Sequence, residues 1–133
     1  MAADSRVTVD HGSGARKHFC RKLFRKKITE GKRTFEVVIG TAGTSAPSLV
    51  FVDWYGTGKP IPDLFLHLGG DFSCLVLRPD GLFEYDVYCR GEQIEEEFYA
   101  IGSGSSAAIA AMHCGKSALE AVRIASKIDP YTG

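Results

Sequence analysis

The chain has 133 residues, of which 44% are hydrophobic and 24% are charged. This length and composition predict one globular domain over residues 1–133 with a core of its own. No apolar run approaches the roughly 18 residues of a membrane-spanning helix. The polar start MAADSRVTVD contains no signal-peptide core. We therefore expect a cytoplasmic protein with no membrane partner.

The net charge of zero hides a marked asymmetry along the chain. Residues 1–33 hold ten Lys and Arg but three Asp and Glu, which gives this part a charge of +7 and the remainder −7. Such a split predicts a charged partner surface. The candidate partner-binding residues are the cations of the run ARKHFCRKLFRKK, namely Arg16, Lys17, Arg21, Arg25, Lys26 and Lys27.

That basic run allows two interpretations. Aromatic residues interleaved with cations, here Phe19 and Phe24, are typical of nucleic-acid surfaces. Strand alternation explains the same pattern if the aromatic rings point inward and the cations point into water. The second interpretation makes nucleic acid a minor expectation. A protein partner or self-association remains the main one.

The four cysteines contain no C-x-x-C pair, so we expect reduced and mostly buried thiols. His18 and Cys20 would share a strand face with His11 nearby, but nothing completes a set of metal ligands. The sequence therefore predicts neither a metal nor a cofactor.

Turn residues divide the first half of the chain into strands and one helix. SRVTV predicts a short strand, and RKLFRKK and RTFEVVIG predict two strands joined through residues 29–32, with Gly31 in the position that needs a positive φ. A helix follows the glycine turn of GTAGTSAPSLVFVDWYG. We expect Ser45 as its N-cap, Pro47 in its first turn and Gly56 at its end.

The second half predicts a hairpin around residues 79–81, an acidic loop GEQIEEEF and one more strand over residues 98–101. A turn over Gly102–Gly104 then leads into a helix that ends near Gly115. Ser117 and Glu120 form a capping box for a final helix. Its apolar stripe is expected at Ala118, Ala121, Val122, Ala125 and Ile128. The sum is an α+β layered protein.

The glycine turn IGSGSSA has the spacing of a dinucleotide-binding loop at Gly102, Gly104 and Ala107. That fingerprint also needs a second strand ending in an acidic residue about 20 positions later. The next candidate, Glu120, lies in a predicted helix, and no Gly-Lys-Ser/Thr completes a P-loop. The turn therefore predicts a tight strand-to-helix connection, with alanines that let the helix lie very close to a sheet.

The order of these segments resembles the proteasome β-subunit family, and within it the HslV-like and phage-encoded members. MAADSRVT is similar to the segment that ends the family's second strand, RKLF to its lysine-containing strand, and VVIGTAGTSA to its strand–glycine–helix step. YAIGSGSSAAIAAM is similar to the family's Gly-Ser-Gly turn, and SALEAVRIASKIDPYTG to its late helix and following corner. The resemblance implies a truncated N-terminal-nucleophile (Ntn) hydrolase fold, an αββα sandwich of antiparallel sheets with flanking helices.

The family uses an N-terminal threonine as nucleophile and its own α-amino group as base. By resemblance, Asp4 and Lys22 would be the ion pair beside that threonine, and Ser103, Asp129 and Thr132 would orient the amine. Each residue also has a plainer interpretation. Asp4 suits a strand end, Lys22 a solvated face and Ser103 a turn, while Asp129 before Pro130 suits a helix end.

The sequence departs from the family where the nucleophile should lie. It begins at Met1, directly ahead of the ADSR segment, and removal of Met1 would expose Ala2, which has no nucleophilic atom. This departure leaves it open whether the chain is an enzyme and favours a non-catalytic protein-binding module, such as a phage or mobile-element accessory protein that inhibits a host complex or defence system in the host cytoplasm. The alternative is an HslV-like threonine peptidase subunit whose nucleophile is missing from this sequence. A nucleic-acid-contacting factor using residues 16–33 is a weaker alternative.

Overall fold

A computed structural model describes residues 6–10, 15–19, 21–63 and 72–131. The chain divides into two compact units, one formed by Met1–Lys22 with Glu97–Gly133 and the other by Leu23–Glu96. The single domain over residues 1–133 stays a prediction. The described elements in chain order are β1 (Arg6–Asp10), β2 (Ala15–Phe19), β3 (Leu23–Glu30), β4 (Arg33–Gly43), α1 (Ser45–Trp54), β5 (Phe72–Arg78), β6 (Gly81–Tyr85), β7 (Gly91–Ile94), α2 (Ser105–His113) and α3 (Ala118–Ile128).

The first unit contains an antiparallel pair, β1 with β2, and the helices α2 and α3. The second unit contains a five-stranded antiparallel sheet in the order β3-β4-β5-β6-β7, together with α1. The predicted α+β class is thus observed. No helix in the described parts of the chain is long and apolar enough to cross a membrane.

Two hairpins of the five-stranded sheet follow their turn residues as predicted. Gly31 has φ +61° between β3 and β4, and Gly81 has φ +147° directly after the turn residues Pro79 and Asp80. Both values lie in the region that side chains other than hydrogen disfavour. These turns fix the register, which places Ile28 opposite Phe35 and Val76 opposite Phe83.

The prediction of a plain loop after β6 is wrong, because residues 91–94 form β7. Gly91 lies opposite Tyr85 in the register, and a Cβ on Gly91 would lie only 2.6 Å from the Tyr85 ring. The missing side chain lets the ring cover the neighbouring strand, a known role of glycine in sheets. The residues of β7 are mostly polar and largely exposed. The sequence therefore shows no hydrophobic pattern that would predict this strand.

The predicted strand over residues 98–101 is also wrong, since this segment is irregular. Phe98 and Ala100 pack against the core between α2 and α3. The Phe98 ring meets the edge of His113 with centroids 5.1 Å apart. The apolar run therefore reflects packing against helices and not a place in a sheet.

Two helix details differ from the prediction. Thr44, with extended backbone, is the N-cap of α1, and Ser45 is already helical. In α3, Ala121 and Ala125 are buried as expected, but Ile128 is 68% exposed and Ile124 packs against the core in its place. The stripe turns toward Ile124 because a 3.6-residue repeat continues from Ala121 to Ile124 and Ala125.

One face of the five-stranded sheet packs against α1. Phe51 is fully buried at the centre of this core, and its ring centroid lies 5.2–5.7 Å from those of Trp54, Tyr55, Phe72 and Tyr85. Tilted aromatic pairs at such distances stabilise beyond their buried area. The remaining buried residues of this core come from the strands and from the loop before β7. They are Ile28, Val37, Ile39, Cys74 and Val76 in the strands and Cys89 in the loop.

The carbonyl end of α1 is satisfied by residues outside the helix. Lys26 Nζ donates to the carbonyl oxygens of Val52 at 2.8 Å and Asp53 at 3.0 Å. Thr57 donates to Trp54 O through both its N–H and its hydroxyl. A cation at this end also opposes the negative end of the helix dipole. Burial lowers the pKa of Lys26, although the charge of Asp53 acts in the opposite direction.

Arg78 at the end of β5 connects three separate parts of the second unit. Its guanidinium donates in bidentate fashion to Glu30 at 2.8 and 2.9 Å, to Asp80 at 2.9 Å and to the Tyr55 hydroxyl at 3.1 Å. It also lies 5.0 Å from the centroid of the Phe35 ring. Since the arginine side chain is only 16% exposed, these contacts replace most of its lost hydration.

Gly56→Ala should destabilise the chain more than Gly58→Ala. Both glycines have positive φ, +78° and +69°, so alanine is strained at either position by roughly 1 kcal/mol. A Cβ at Gly56 would in addition lie 2.3 Å from Ile28 Cγ2, whereas Gly58 has nothing within 4 Å. We expect a total loss of at least about 2 kcal/mol for Gly56→Ala, measured by urea unfolding. Equal losses would show that the contact with Ile28 relaxes.

The Arg78–Glu30 ion pair should make stability depend on acid. The hydrogen bond from Arg78 lowers the pKa of Glu30 below the ordinary glutamate value of 4.5. A lowered carboxyl pKa means that the contribution is complete above pH 4.5 and is lost as pH falls below it. Glu30→Gln should therefore reduce the free energy of unfolding by about 0.5–1 kcal/mol at pH 7, with a difference that shrinks toward pH 3. Glu95→Gln controls for loss of one negative charge, and a difference that persists at pH 3 would contradict the assignment.

Candidate functional site

The candidate site lies at one end of a helix hairpin formed by α2 and α3. α2 ends in a Schellman motif, with Gly115 N donating to Met112 O and Lys116 N to Ala111 O. Gly115 has φ +85°, as this motif requires. Ser117 then starts α3 with the predicted capping box to Glu120.

Small residues let the two helices pack closely. Their shared core consists of alanines and one methionine, Ala108, Ala111, Met112, Ala121 and Ala125. Because the connection is short and the helices are about 13 Å and 16 Å long at 1.5 Å per residue, the start of α2 comes beside the end of α3. Residues just before α2 and just after α3 therefore meet.

Ser103 and Asp129 meet in this way, while the roles that the family resemblance implies for them stay predictions. Ser103 Oγ donates to Asp129 Oδ2 at 2.5 Å, a short hydrogen bond between residues 26 positions apart. The other carboxylate oxygen, Asp129 Oδ1, accepts from Tyr131 N at 3.3 Å. Asp129 N donates to Ala125 O and so continues the hydrogen bonding of α3. We call these two residues the Ser103–Asp129 pair.

Glycine conformation sets the position of Ser103. Gly102 has φ +91°, and its carbonyl accepts from Ser105 N at 3.1 Å, which closes a tight turn around Ser103. The turn opens α2, so the Asp129 carboxylate is bonded close to the positive end of the α2 dipole. This charge offsets the unfavourable position of a carboxylate at the negative end of its own helix.

The pair can bind a cationic donor. A serine hydroxyl that gives its proton to a carboxylate keeps its lone pairs for another donor, and the carboxylate adds negative charge. Both side chains lie in an exposed hydrogen bond, so a further group can reach them. A primary amine has the matching chemistry, with positive charge and up to three donors.

The other residues implied by the resemblance are only partly described. Lys22 lies just before β3, in the same unit as the Ser103–Asp129 pair, and is half-buried. Asp4 and Thr132 lie outside the described residues. Their roles, and that of Lys22, stay predictions.

The predicted partner-binding cations are distributed over different faces. Arg25 and Lys27 alternate with Lys26 along β3, so the first two share one face of the sheet and Lys26 lies on the face that contacts α1. Arg25 is 74% exposed and lies 3.7 Å from Glu36, and Lys27 and Arg21 are exposed. Arg16 and Lys17 lie in β2, and their side chains are outside the described part.

No group of three His, Cys, Asp or Glu side chains within residues 21–63 and 72–131 could hold a metal ion. Cys74 and Cys89 are buried, and burial raises the pKa of both thiols, that of Cys89 to about 11. Two of the three described thiols are thus buried, as expected, and Cys114 is exposed, while Cys20 lies outside the described residues. The two buried thiols are therefore poor nucleophiles.

Sequence reasoning missed the backbone N–H of Tyr131 as a partner of Asp129. An aspartate followed by proline favours a turn in which the carboxylate accepts from the N–H two residues later. The signal was present in Asp129-Pro130-Tyr131. The reasoning also missed Arg78, whose partner Glu30 is 48 positions away and gives no local signal.

Solved structures share this architecture. Eukaryotic HslV from Trypanosoma brucei matches with a TM-score of 0.65 and 22% identity over 98% of this chain and 86% of that chain. Thiobacillus denitrificans BPH matches with a TM-score of 0.63 and 19% identity over 98% of this chain and 85% of that chain, and its complex with epoxomicin gives the same values. No protein-family model matches the sequence. No curated protein matches it either.

At these identities the similarity establishes the fold, which is of the HslV and Ntn-hydrolase type. The predicted fold is thereby confirmed. The structural neighbours also support the proteasome β-type resemblance, while the phage-type assignment and the truncation stay predictions.

Ser103→Ala should leave stability almost unchanged. The lost hydrogen bond is exposed, so water replaces it and the free energy of unfolding should fall by less than about 1 kcal/mol. Ser117→Ala is the comparison, because loss of an N-cap costs about 1 kcal/mol by itself. Thermal and urea unfolding measure both. If Ser103→Ala lowered the free energy of unfolding by more than about 2 kcal/mol, the pair would have a structural role.

Proposed function

Because the chain has the fold of HslV, we propose that it is a subunit of a threonine-type peptidase in which the Ser103–Asp129 pair orients a free α-amino group. The hydrogen bond between Ser103 Oγ and Asp129 Oδ2 carries this proposal. Its two members are 26 residues apart, with Ser103 exposed and Asp129 half-buried, so core packing does not require the contact. It provides the acceptor lone pairs and the negative charge that an amine needs.

In the proposed reaction the α-amino group of an N-terminal threonine takes the proton from its own hydroxyl. The hydroxyl oxygen then attacks a peptide carbonyl carbon, the amine returns the proton to the leaving nitrogen, and an acyl-enzyme ester remains. Water hydrolyses the ester by the same proton route. Asp129 tends to hold the amine in its charged form, and the cation of Lys22 opposes this by favouring the neutral base.

The proposal requires that the protein made in its native host has a threonine ahead of Asp4. Residues 1–3 of the sequence are Met, Ala and Ala. By resemblance to the proteasome β-subunit family, Asp4 and Lys22 of this chain would lie beside that threonine. The proposed peptidase therefore depends on what the chain contains in its native setting, which intact-mass measurement determines.

A non-catalytic protein-binding module is the second candidate. Strand β7 favours it, since within the described residues it pairs with β6 alone and an outer strand can accept another chain. In this form the protein would be a cytoplasmic phage or mobile-element accessory protein that inhibits a host complex such as a defence system.

Reaction with epoxomicin separates the two candidates. The gene is expressed with its upstream DNA and a C-terminal tag, and the product is analysed by intact mass before and after treatment. The peptidase predicts an N-terminal threonine and the mass increase of one inhibitor, with labelling slowed about 100-fold by Asp129→Asn. The control variant is Ser106→Ala, which changes an exposed serine in the first turn of α2. It should label at the normal rate.

A product that begins with Met1 or Ala2 and does not react would overturn the peptidase proposal and favour the binding module. Normal labelling of Asp129→Asn would show instead that the peptidase is real but does not use the Ser103–Asp129 pair. Circular dichroism of each variant shows whether it is folded.

A further inference from the structure

Strand β7 is an outer strand of the five-stranded sheet. Within residues 21–63 and 72–131 it pairs with β6 alone. Its residues Gly91, Glu92 and Gln93 are exposed, and Ile94 is half-buried. An exposed outer strand offers backbone donors and acceptors to a further strand. The phase of its hydrogen bonds and the charge around it decide what kind of strand that is.

The ladder with β6 shows which backbone groups of β7 are available. Asp86 N donates to Arg90 O at 3.3 Å, which makes these two residues a hydrogen-bonded pair just outside the ladder. Hydrogen-bonded and non-hydrogen-bonded pairs alternate along antiparallel strands. With the observed register, Glu92 and Ile94 therefore direct their N–H and C=O groups toward β6.

Gly91 and Gln93 consequently direct their N–H and C=O groups to the open side of β7. The backbone of neither residue takes part in a turn, loop or cap hydrogen bond in the described part of the chain. Alternate residues that present both a donor and an acceptor are what an added antiparallel strand needs.

The side chains around these groups are acidic. Residues 91–96 contain three glutamates, all of them exposed, and no cation. The cation next to the strand is Arg90, and its guanidinium binds the Asp86 carboxylate at 2.6 and 3.0 Å. The open side of β7 therefore carries negative charge, which attracts a basic strand and repels an acidic one.

We propose that β7 binds an extended, lysine- or arginine-rich segment of another protein as a further antiparallel strand. Gly91 and Gln93 exchange N–H···O bonds with the residues opposite them. A residue opposite Glu92 then belongs to a non-hydrogen-bonded pair, in which side chains lie closest. A cation at that position pairs with Glu92, and an apolar residue two positions away covers Ile94.

Charge gives this surface its selectivity. Charged side chains on an outer strand ordinarily keep other strands away. A row of one sign keeps away acidic strands and admits those with cations at the matching positions. The inference gives the binding-module candidate a partner chemistry and stands without the peptidase proposal, because β7 and the Ser103–Asp129 pair belong to different compact units. Failure of peptide binding leaves the reaction with epoxomicin unaffected, and the converse also holds.

The test measures binding of a short peptide to the isotope-labelled full chain by amide NMR. The peptide is Ser-Lys-Thr-Val-Thr-Lys-Thr-Ser with blocked ends, whose lysines lie opposite Glu92 and Glu96 when its valine lies opposite Ile94. The amides of Gly91 and Gln93 should shift most and exchange more slowly with heavy water. Raising the salt concentration from about 50 mM to about 500 mM should weaken binding.

Two N-methylated peptides separate strand pairing from simple charge attraction. Methylation of the threonine nitrogen opposite Gln93 removes an N–H that points at β7, so the dissociation constant should rise at least about tenfold. Methylation of the valine nitrogen opposite Ile94 alters an N–H that points away, and the dissociation constant should change less than about twofold. A peptide with both lysines replaced by glutamate should not bind.

A matched pair of variants tests the charge on β7. Glu92→Gln should raise the dissociation constant about threefold, the size expected for one cross-strand charge pair. The control is Glu36→Gln, which removes one exposed carboxylate from β4. It should bind as the wild type does.

Four results would overturn the proposal. They are unshifted Gly91 and Gln93 amides at millimolar peptide, equal effects of the two N-methylations, equal binding by Glu92→Gln and Glu36→Gln, and binding of the glutamate peptide. Shifts of the β7 amides that depend on protein concentration without peptide would mean that a second copy occupies the strand, which also contradicts the proposal.

Discussion

The Arg78 guanidinium fixes the end of the five-stranded sheet at which its turns meet α1. It binds Glu30 before the β3–β4 turn, Asp80 in the β5–β6 turn and Tyr55 at the end of α1. An arginine with so little exposure needs these partners, because an unpaired cation would lose its hydration without compensation. The contact with Glu30 therefore ties the first hairpin to the second through side chains, in addition to the backbone ladder between β4 and β5.

Lys26 extends this constraint to the helix. Its ammonium satisfies two terminal carbonyls of α1, which holds the helix against the sheet face where Phe51 is buried. Lys26 is thus bonded within its own chain, and its role in partner binding stays a prediction. The composition of the basic run is therefore explained by two different physical tasks, helix capping by Lys26 and exposure by Arg25 and Lys27.

Local signals in the sequence predicted the elements that depend on local chemistry. Gly31 and the capping box of Ser117 act within a few residues of themselves, and the structure contains both. β7 escaped prediction because its residues are exposed and its place depends on Tyr85 of the neighbouring strand. Phe98 was misassigned because an apolar run has the same pattern whether it pairs in a sheet or packs on helices.

The family resemblance, and not periodicity, drew attention to Ser103 and Asp129. The structure adds the physical means, a helix hairpin closed by Gly115 and by the cap at Ser117. The turn and the capping box that join the two helices connect residues close in sequence, so little loop-closure entropy opposes the hairpin. Low contact order is associated with rapid folding. We therefore expect the two side chains to find each other early, while the strands β4 and β5, separated by a helix and a long connection, are still searching for their register.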